Sequence, residues 1–404
     1  MDKKKLYRIL FDNKVVILFV VLCVGATIAS KQPLTFVAPE LFTRIARNSV
    51  LVLSLIIPVI AGMGLNFGIV IGAMAAQIAL FWTTYWGIHG ILGFLATVCM
   101  ATPIAVLFGF LAGKLFNKMK GSEMIGGLVL SYFAEGLYLL LFLFIFGGVI
   151  PLDNPTLMIA TGVGVKNTID LSSTIKYALD TIPMLNIIEV GFYLLVLGNI
   201  GTLILKKSKG LSVNMAAVVL RLAAGAVIYG LTFVPAIEQL LAQDRLLLLR
   251  AVEICCAGTV VWQLWRFVND KYIYKREFQV KRAAAAIVTA AVVYALTYIP
   301  AIFNVLIVVQ LPVMTYICIA GLGMFNNLLM KTRLGQNMRT VGQSRVVANA
   351  AGINVDRTRI IAMIFSTVLA SWGQLIFLQN VGTFSTYGAH TQVGQFAIAA
   401  LLVG

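Results

Sequence analysis

The chain has 404 residues, 60% of them hydrophobic and 11% charged, with a mean hydropathy of +0.95. Soluble domains carry about 25% charged residues, so a water-facing globular protein is excluded. A net charge of +16 on such a chain reads as lysine and arginine in the inner loops of a membrane protein, not as a nucleic-acid surface.

The apolar runs reach about 18 residues or more, which predicts an all-α polytopic membrane protein with about 11–12 transmembrane helices. A β-barrel would alternate over about ten residues instead. Lys3, Lys4, Lys5, Arg8 and Lys14 place the N-terminus inside. Runs follow near 14–30, 47–62, 66–86, 88–113 and 123–147, with Lys114, Lys118 and Lys120 returning to the inner side. A polar stretch, 148–185, is an external loop by this count. The next run, near 186–205, returns to Lys206, Lys207 and Lys209.

Two segments then repeat. AVIYGLTFVPAI (226–237) aligns with VVYALTYIPAI from Val292, and ICCAG (254–258) with ICIAG (317–321). Helical hairpins near 212–268 and 283–330 therefore read as two copies of one unit, joined inside by KYIYKREFQVKR (271–282). The basic loop 331–359 lies inside. A run near 360–379 goes out, 380–394 is external, and the run from about 395 is too short to span. The chain stops in mid-helix at AALLVG, so 1–404 reads as a single transmembrane domain truncated at its C-terminus.

Catalytic and metal-binding patterns do not emerge. Cys23, Cys99, Cys255, Cys256 and Cys318 fall in apolar runs and read as small core residues, with neither a disulfide framework nor a metal site. His89 and His390 are far apart in sequence. GFLAGKL (109–115) has the wrong spacing for a phosphate-cradling loop and reads as a helix end. Charges inside membrane helices tend to mark function. Arg221, Arg250 and Glu253 read as a neutralising cluster within the repeat. Glu135 stands alone in its helix, where it either lines a polar path or pairs with another helix.

The stretch PVIAGMGLNFGIVIGAMAAQ (58–77) mixes proline, glycine, Asn66 and Gln77 in an apolar run. It predicts a broken helix near 58–77, of the kind that frees backbone groups to meet a solute. Gly68 and Gly72 also permit close helix packing, and both readings can hold. Asn66, Gly68, Gly72, Gln77 and Glu135 are the candidate substrate-pathway residues. In MRTVGQSRVVANAAGINVDRTR (338–359), Val341, Val346, Val347 and Ala350 fall at helical spacing. Gly352 suits a helix stop, and Asn354 or Asp356 a cap for the next helix. The small side chains there fit a close protein contact better than a lipid surface.

These residues resemble a known family. The pattern Val-Gly-x-Asn, Ala-Ala, Gly-Ile-x-Val and a basic residue belongs to the cytoplasmic coupling loop of bacterial ABC importer permeases. Here it is carried by Val341, Gly342, Ala350, Ala351, Gly352, Ile353, Val355 and Arg357, with Ser344 in place of the asparagine. KGSEMIGGLVLSYFAEGL (120–137) is similar to the Asn-Glu-x-Ile … Leu-x-Leu-Asn-Tyr segment of the branch that works with basic-membrane lipoproteins. Glu123, Leu128, Leu130 and Tyr132 match, while Ser122 and Ser131 replace asparagines. LNFGIVIGAMAAQ resembles its Val-Asn-Ile-Gly-x-Glu-Gly stretch, with Val70 at the glutamate, and 383–404 resembles its segment ending in Leu-Leu-Gly.

The resemblance implies a permease subunit of an ABC importer for a nucleoside, purine or simple sugar. It implies a cytoplasmic membrane location, two partner ATPase subunits that bind ATP and magnesium, a second permease subunit, and an extracytoplasmic lipoprotein receptor. No cofactor is expected in this chain, and no catalysis. Val341, Gly342, Ala350, Ala351, Gly352 and Ile353 become the residues expected to receive the ATPase. The competing reading is an ion-coupled secondary transporter, which also uses broken helices and repeats.

Overall fold

The computed structural model describes residues 14–152, 154–159, 163–208, 215–243, 245–270 and 280–403. Lys3, Lys4, Lys5, Arg8, Lys209 and the link 271–279 lie outside the described residues. Among those described, seven helices are long and apolar enough to cross a membrane, and an eighth span is bent by 91° at Pro300. Shorter apolar helices occupy Lys14–Ser30, Ile69–Tyr85, Val218–Leu231 and Ala389–Val403. Together these are the runs read from the sequence, in the same order.

The chain forms two compact units. One comprises the described residues of Met1–Lys31, Arg44–Leu179 and Thr315–Gly404, the other those of Gln32–Thr43 and Asp180–Met314.

The first unit opens with α1 (Lys14–Ser30), which buries none of its side chains. Helix α2 (Leu34–Ser54), which belongs to this unit from Arg44 onward, starts well before the expected residue 47, because LTFVAPELFTRIARN, although mixed in polarity, has good helix formers. A short α3 (Ile56–Ile60) follows, then residues 61–68 leave the helix, then α4 (Ile69–Tyr85) begins. The predicted break is therefore present. Gly62 and Gly64 sit at φ +73° and +68°, which side-chain-bearing residues rarely adopt.

Helix α5 (Gly90–Lys118) turns at Gly121 into α6 (Glu123–Leu140), whose last turn widens to a π-type turn over Leu141–Ile145. Strand β1 (Thr168–Asp170) lies in the loop that follows. After the other unit's segment, α13 (Val313–Lys331), α14 (Arg333–Gln343), α15 (Arg345–Ala350), α16 (Val355–Val381), β4 (Thr383–Ser385) and α17 (Ala389–Val403) complete the element order. β1 pairs antiparallel with β4, Ile169 opposite Phe384. Tyr387 Oη donates to the Val165 carbonyl at 2.7 Å, and the Thr386 amide to that of Asn167 at 2.8 Å. The two loops assigned to one side of the membrane are thus stitched together.

Helix α16 is the centre of this unit. Small residues let its neighbours approach it. A Cβ on Gly113 would stand 2.9 Å from the Ile360 Cα, one on Gly109 2.8 Å from the Ile364 Cα, and one on Gly72 2.9 Å from the Ala370 Cβ. So α5 runs antiparallel to α16, and α4 parallel to it. The GFLAGKL stretch is a helix end whose Gly-x-x-x-Gly face packs on another helix.

The second unit holds α7 (Met184–Ser208), α8 (Met215–Leu231), α9 (Pro235–Leu241), β2 (Leu246–Leu247), α10 (Leu248–Val268), α11 (Val280–Leu296), α12 (Pro300–Leu306) and β3 (Gln310–Leu311). Phe192 of α7 stacks on Tyr229 of α8, with centroids 4.9 Å apart. The duplication is visible in detail. Thr232 donates to the Tyr229 carbonyl at 2.6 Å, and Thr297 to the Tyr294 carbonyl at 2.7 Å. A proline then opens a seven-residue helix in each copy, Pro235 and Pro300, where its missing N–H costs nothing. The strands that follow pair with each other, Leu246 opposite Leu311. The expected charge cluster is smaller than predicted. Arg250 and Glu253 bond at 2.7 Å. Arg221 is exposed and makes no ion pair among the described residues.

Candidate functional site

The loop 331–359 folds as α14, α15 and the first turn of α16, each with a side-chain cap. Thr332 accepts from the Gly335 amide at 3.2 Å, Ser344 from Val347 at 3.3 Å and Asn354 from Arg357 at 2.9 Å. Ser344, which replaces the asparagine of the resembled pattern, therefore does a job that asparagine does equally well. Gly352 ends α15 at φ +75°, as expected of a helix stop. Of the two caps considered for α16, Asn354 is the one used.

The helical spacing of Val341, Val346, Val347 and Ala350 does not make one helix face, because Val341 lies in α14 and the other three in α15. Val341 is buried, whereas Val346 is 79% and Val347 59% exposed. The cap at Ser344 breaks the helix in two, so the spacing does not carry across it. The buried residues are Val341, Ala348 and Val355, with Ile353 packed against them. Ala350, Ala351 and Gly352 are exposed at the tip.

This loop touches the broken helix directly. A Cβ on Gly62 would stand 2.7 Å from the Gly342 Cα, and one on Gly342 would collide with the Ile60 carbonyl. Arg345 Nη2 lies 3.4 Å from the Gly62 carbonyl oxygen. The same nitrogen bonds Glu123 Oε1 at 2.6 Å, and Arg359 Nη2 bonds that oxygen at 2.6 Å as well. Lys120 pairs with Asp356 at 3.0 Å, and Asn117 donates to the Asp356 carbonyl at 2.9 Å. The α5–α6 turn and the loop therefore form one polar layer. Arg359 escaped the sequence reading, which began the helix at 360. A helix start one turn earlier, marked by the Asn354 cap signal, would have found it.

Past the break, the polar residues continue along α16. Asn66, 2% exposed, accepts from the Gly68 amide at 2.9 Å and reaches Ser366 Oγ at 3.4 Å. Ser371 and Gln374 extend the Thr367–Ala370 stripe by one turn, which brings them level with Gln77 of the parallel α4. Gln77 Oε1 lies 2.8 Å from His390 Nδ1 of α17. With an amide oxygen as partner, Nδ1 carries the proton and Nε2 is left as an acceptor. Ser366, Ser371, Gln374, Gln77 and His390 are all fully buried. Gln77 Nε2, both amide atoms of Gln374, Ser371 Oγ and His390 Nε2 make no hydrogen bond among the described residues. From Ser366 to Gln374 the seam rises about 12 Å.

Aromatic rings close the end of the seam nearer the β1–β4 loops. Tyr138 lies 4.7 Å from His390 and 4.4 Å from Phe142, and Phe81 stacks on Phe146 at 4.6 Å. Of the predicted pathway residues, Asn66 and Gln77 enter the seam. Gly68 borders Asn66, and Gly72 serves packing against α16. Glu135 stands one turn from Ser131, which donates to the Phe67 carbonyl at 2.8 Å, and flanks the same face of α6. It is half-buried and makes no hydrogen bond or ion pair among the described residues. A separate apolar cavity of about 350 Å³ lies between α4, α5 and α6, lined by Met74, Phe108 and Leu137 among others.

The profile of the family described as the branched-chain amino acid transport system permease component matches residues 184–404. No curated protein and no solved structure matches the chain. With more than half of its length inside that match, the chain belongs to the branched-chain amino acid transport system permease family, as the multi-pass, non-catalytic membrane component of an ABC transporter.

Proposed function

We propose that this permease imports a neutral polar solute, a nucleoside, purine or simple sugar, through the seam from Asn66 to His390. The carrying observation is chemical. The seam offers amide, hydroxyl and imidazole groups, several of them without a protein partner, and no ionised side chain. Buried polar groups without partners are costly, and water or a solute rich in donors and acceptors meets them. An amino acid would bring two full charges into a place with nothing to neutralise them. The similarity of 120–137 and 65–77 to the nucleoside and sugar branch points the same way.

In this reading 331–359 faces the cytoplasm, as does the N-terminus. The exposed Val346 and Val347 at the loop tip offer partner ATPase subunits an apolar contact. Those subunits hold the ATP and magnesium. A second permease subunit completes the pathway, and a lipoprotein receptor delivers solute at the 148–185 and 380–394 loops. ATP-driven closure of the ATPases moves the loop and shifts the permease between two states.

The test is uptake into proteoliposomes carrying the chain, its co-purifying ATPase and the receptor. Ribose or adenosine should enter, and leucine should not compete. Leucine uptake would refute the neutral-solute reading. Full uptake without any ATPase would favour an ion-coupled carrier, with Glu135 as the group that binds the ion.

A further inference from the structure

One carboxylate here serves two arginines through a single oxygen. Glu123 Oε1 is 2.6 Å from Arg345 and 2.6 Å from Arg359. The other oxygen, Oε2, accepts from the Gly121 amide at 2.8 Å. The two arginines are not equivalent. Arg359 has no exposed surface and is rooted in the first turns of α16. Arg345 is 33% exposed, opens the short α15, and is the one that also reaches the Gly62 carbonyl.

A buried carboxylate with one partner makes a stiff link, because removing that partner strands a charge. Two partners change this. If Arg345 departs, Arg359 still neutralises Glu123, and a repulsion between like charges is relieved. The Arg345 contact is therefore easy to break, while the Arg359 contact is permanent.

We infer that Glu123 is the fixed half of a releasable latch whose moving half is Arg345, with Arg359 as the counter-charge that lets it open. The inference rests on reading 331–359 as the coupling loop. When α15 is displaced, Arg345 leaves Glu123 and the Gly62 carbonyl in the same step, which frees the turn that leads to Asn66. Glu123 and Arg345 are positioning residues, since neither lines the seam.

The experiment uses the full chain in lipid nanodiscs, alone and with its ATPase and receptor. Alone, Arg359→Gln should lower the unfolding midpoint well beyond Arg345→Gln, and on top of Glu123→Gln, Arg345→Gln should lower it no further, since it then only relieves the repulsion with Arg359. In the complex, Arg345→Gln should raise solute-independent ATP hydrolysis, and lower the solute moved per ATP, by roughly tenfold, the scale of one lost charge-assisted bond. Arg345→Lys should recover most of that ratio. Equal midpoint losses for the two arginine variants would overturn the latch, as would an unchanged solute-to-ATP ratio in Arg345→Gln. Should the wild-type chain transport without an ATPase, the coupling reading fails by itself. The unequal midpoints, with a changed uptake rate in Arg345→Gln, would then uphold the latch, and an unchanged rate would overturn it.

Discussion

Gly62 and Gly342 meet backbone to backbone, with no space for a methyl group between them. One ends the short helix before the membrane break, and the other ends the first helix of the basic loop. If the loop moves as proposed, its displacement would reach the break without an intervening side chain. Gly342→Val should insert and fold with a loss of about 1–3 kcal/mol, the usual cost of overpacking. ATP-driven uptake should fall far more than stability does. Parallel measurement of uptake and thermal unfolding checks this.

Glu123→Gln leaves Arg359 buried without a counter-charge. Breaking a buried pair from one side costs about 3–5 kcal/mol. The variant should unfold at markedly lower temperature in detergent, a shift that Glu123→Asp should share only in part.

Gln77→Leu removes the partner of His390 Nδ1 and one of the free amide donors in the seam. The stranded Nδ1–H should lower stability by about 1–3 kcal/mol, the cost of a buried donor left without its partner. Solute uptake should drop by about tenfold or more, as expected when a site loses a hydrogen bond to its ligand. Initial-rate kinetics should place the loss in KM.

Glu135→Ala should leave thermal stability within about 0.5 kcal/mol, since no partner is lost. Its effect should appear in solute affinity, because the side chain flanks the Ser131 face of α6. A stability loss with unchanged kinetics would make it structural.

Gly352 sits at positive φ, with open space around the position of a Cβ. Gly352→Ala should cost about 1 kcal/mol of local strain. Gly352→Trp fits sterically in the isolated chain, yet projects from the exposed tip. It should abolish pull-down of the ATPase while membrane insertion stays normal.

Much of this architecture was legible in the sequence, for physical reasons. Hydrocarbon thickness fixes the length of the apolar runs, so their order carried over, but seven or eight rather than 11–12 are long enough to span among the described residues. Gly352 and Asn354 obey local rules of helix ends, and Gly62 and Gly64 obey local rules of helix breaking. Spacing across Ser344 misled because a cap resets helical phase, and no periodicity argument sees that. The long-range partners were out of reach. Glu123 and Arg359 are 236 positions apart and Gln77 and His390 313. Each pair is joined by packing of helices whose neighbours the sequence does not state.

The pairing of β2 with β3 bears on how the repeated hairpins arose and persist. Each copy extends for two residues after its proline-led helix, leaving backbone N–H and C=O groups along an edge. Leu246 meets Leu311, Leu247 meets Gln310, and the Leu248 amide bonds the Val309 carbonyl at 2.8 Å. In a low-dielectric surround an unmatched edge is not tolerated. Each copy is thus the other's missing strand. A chain with one hairpin excised would carry an open edge, so the duplicated units should be gained or lost as a pair.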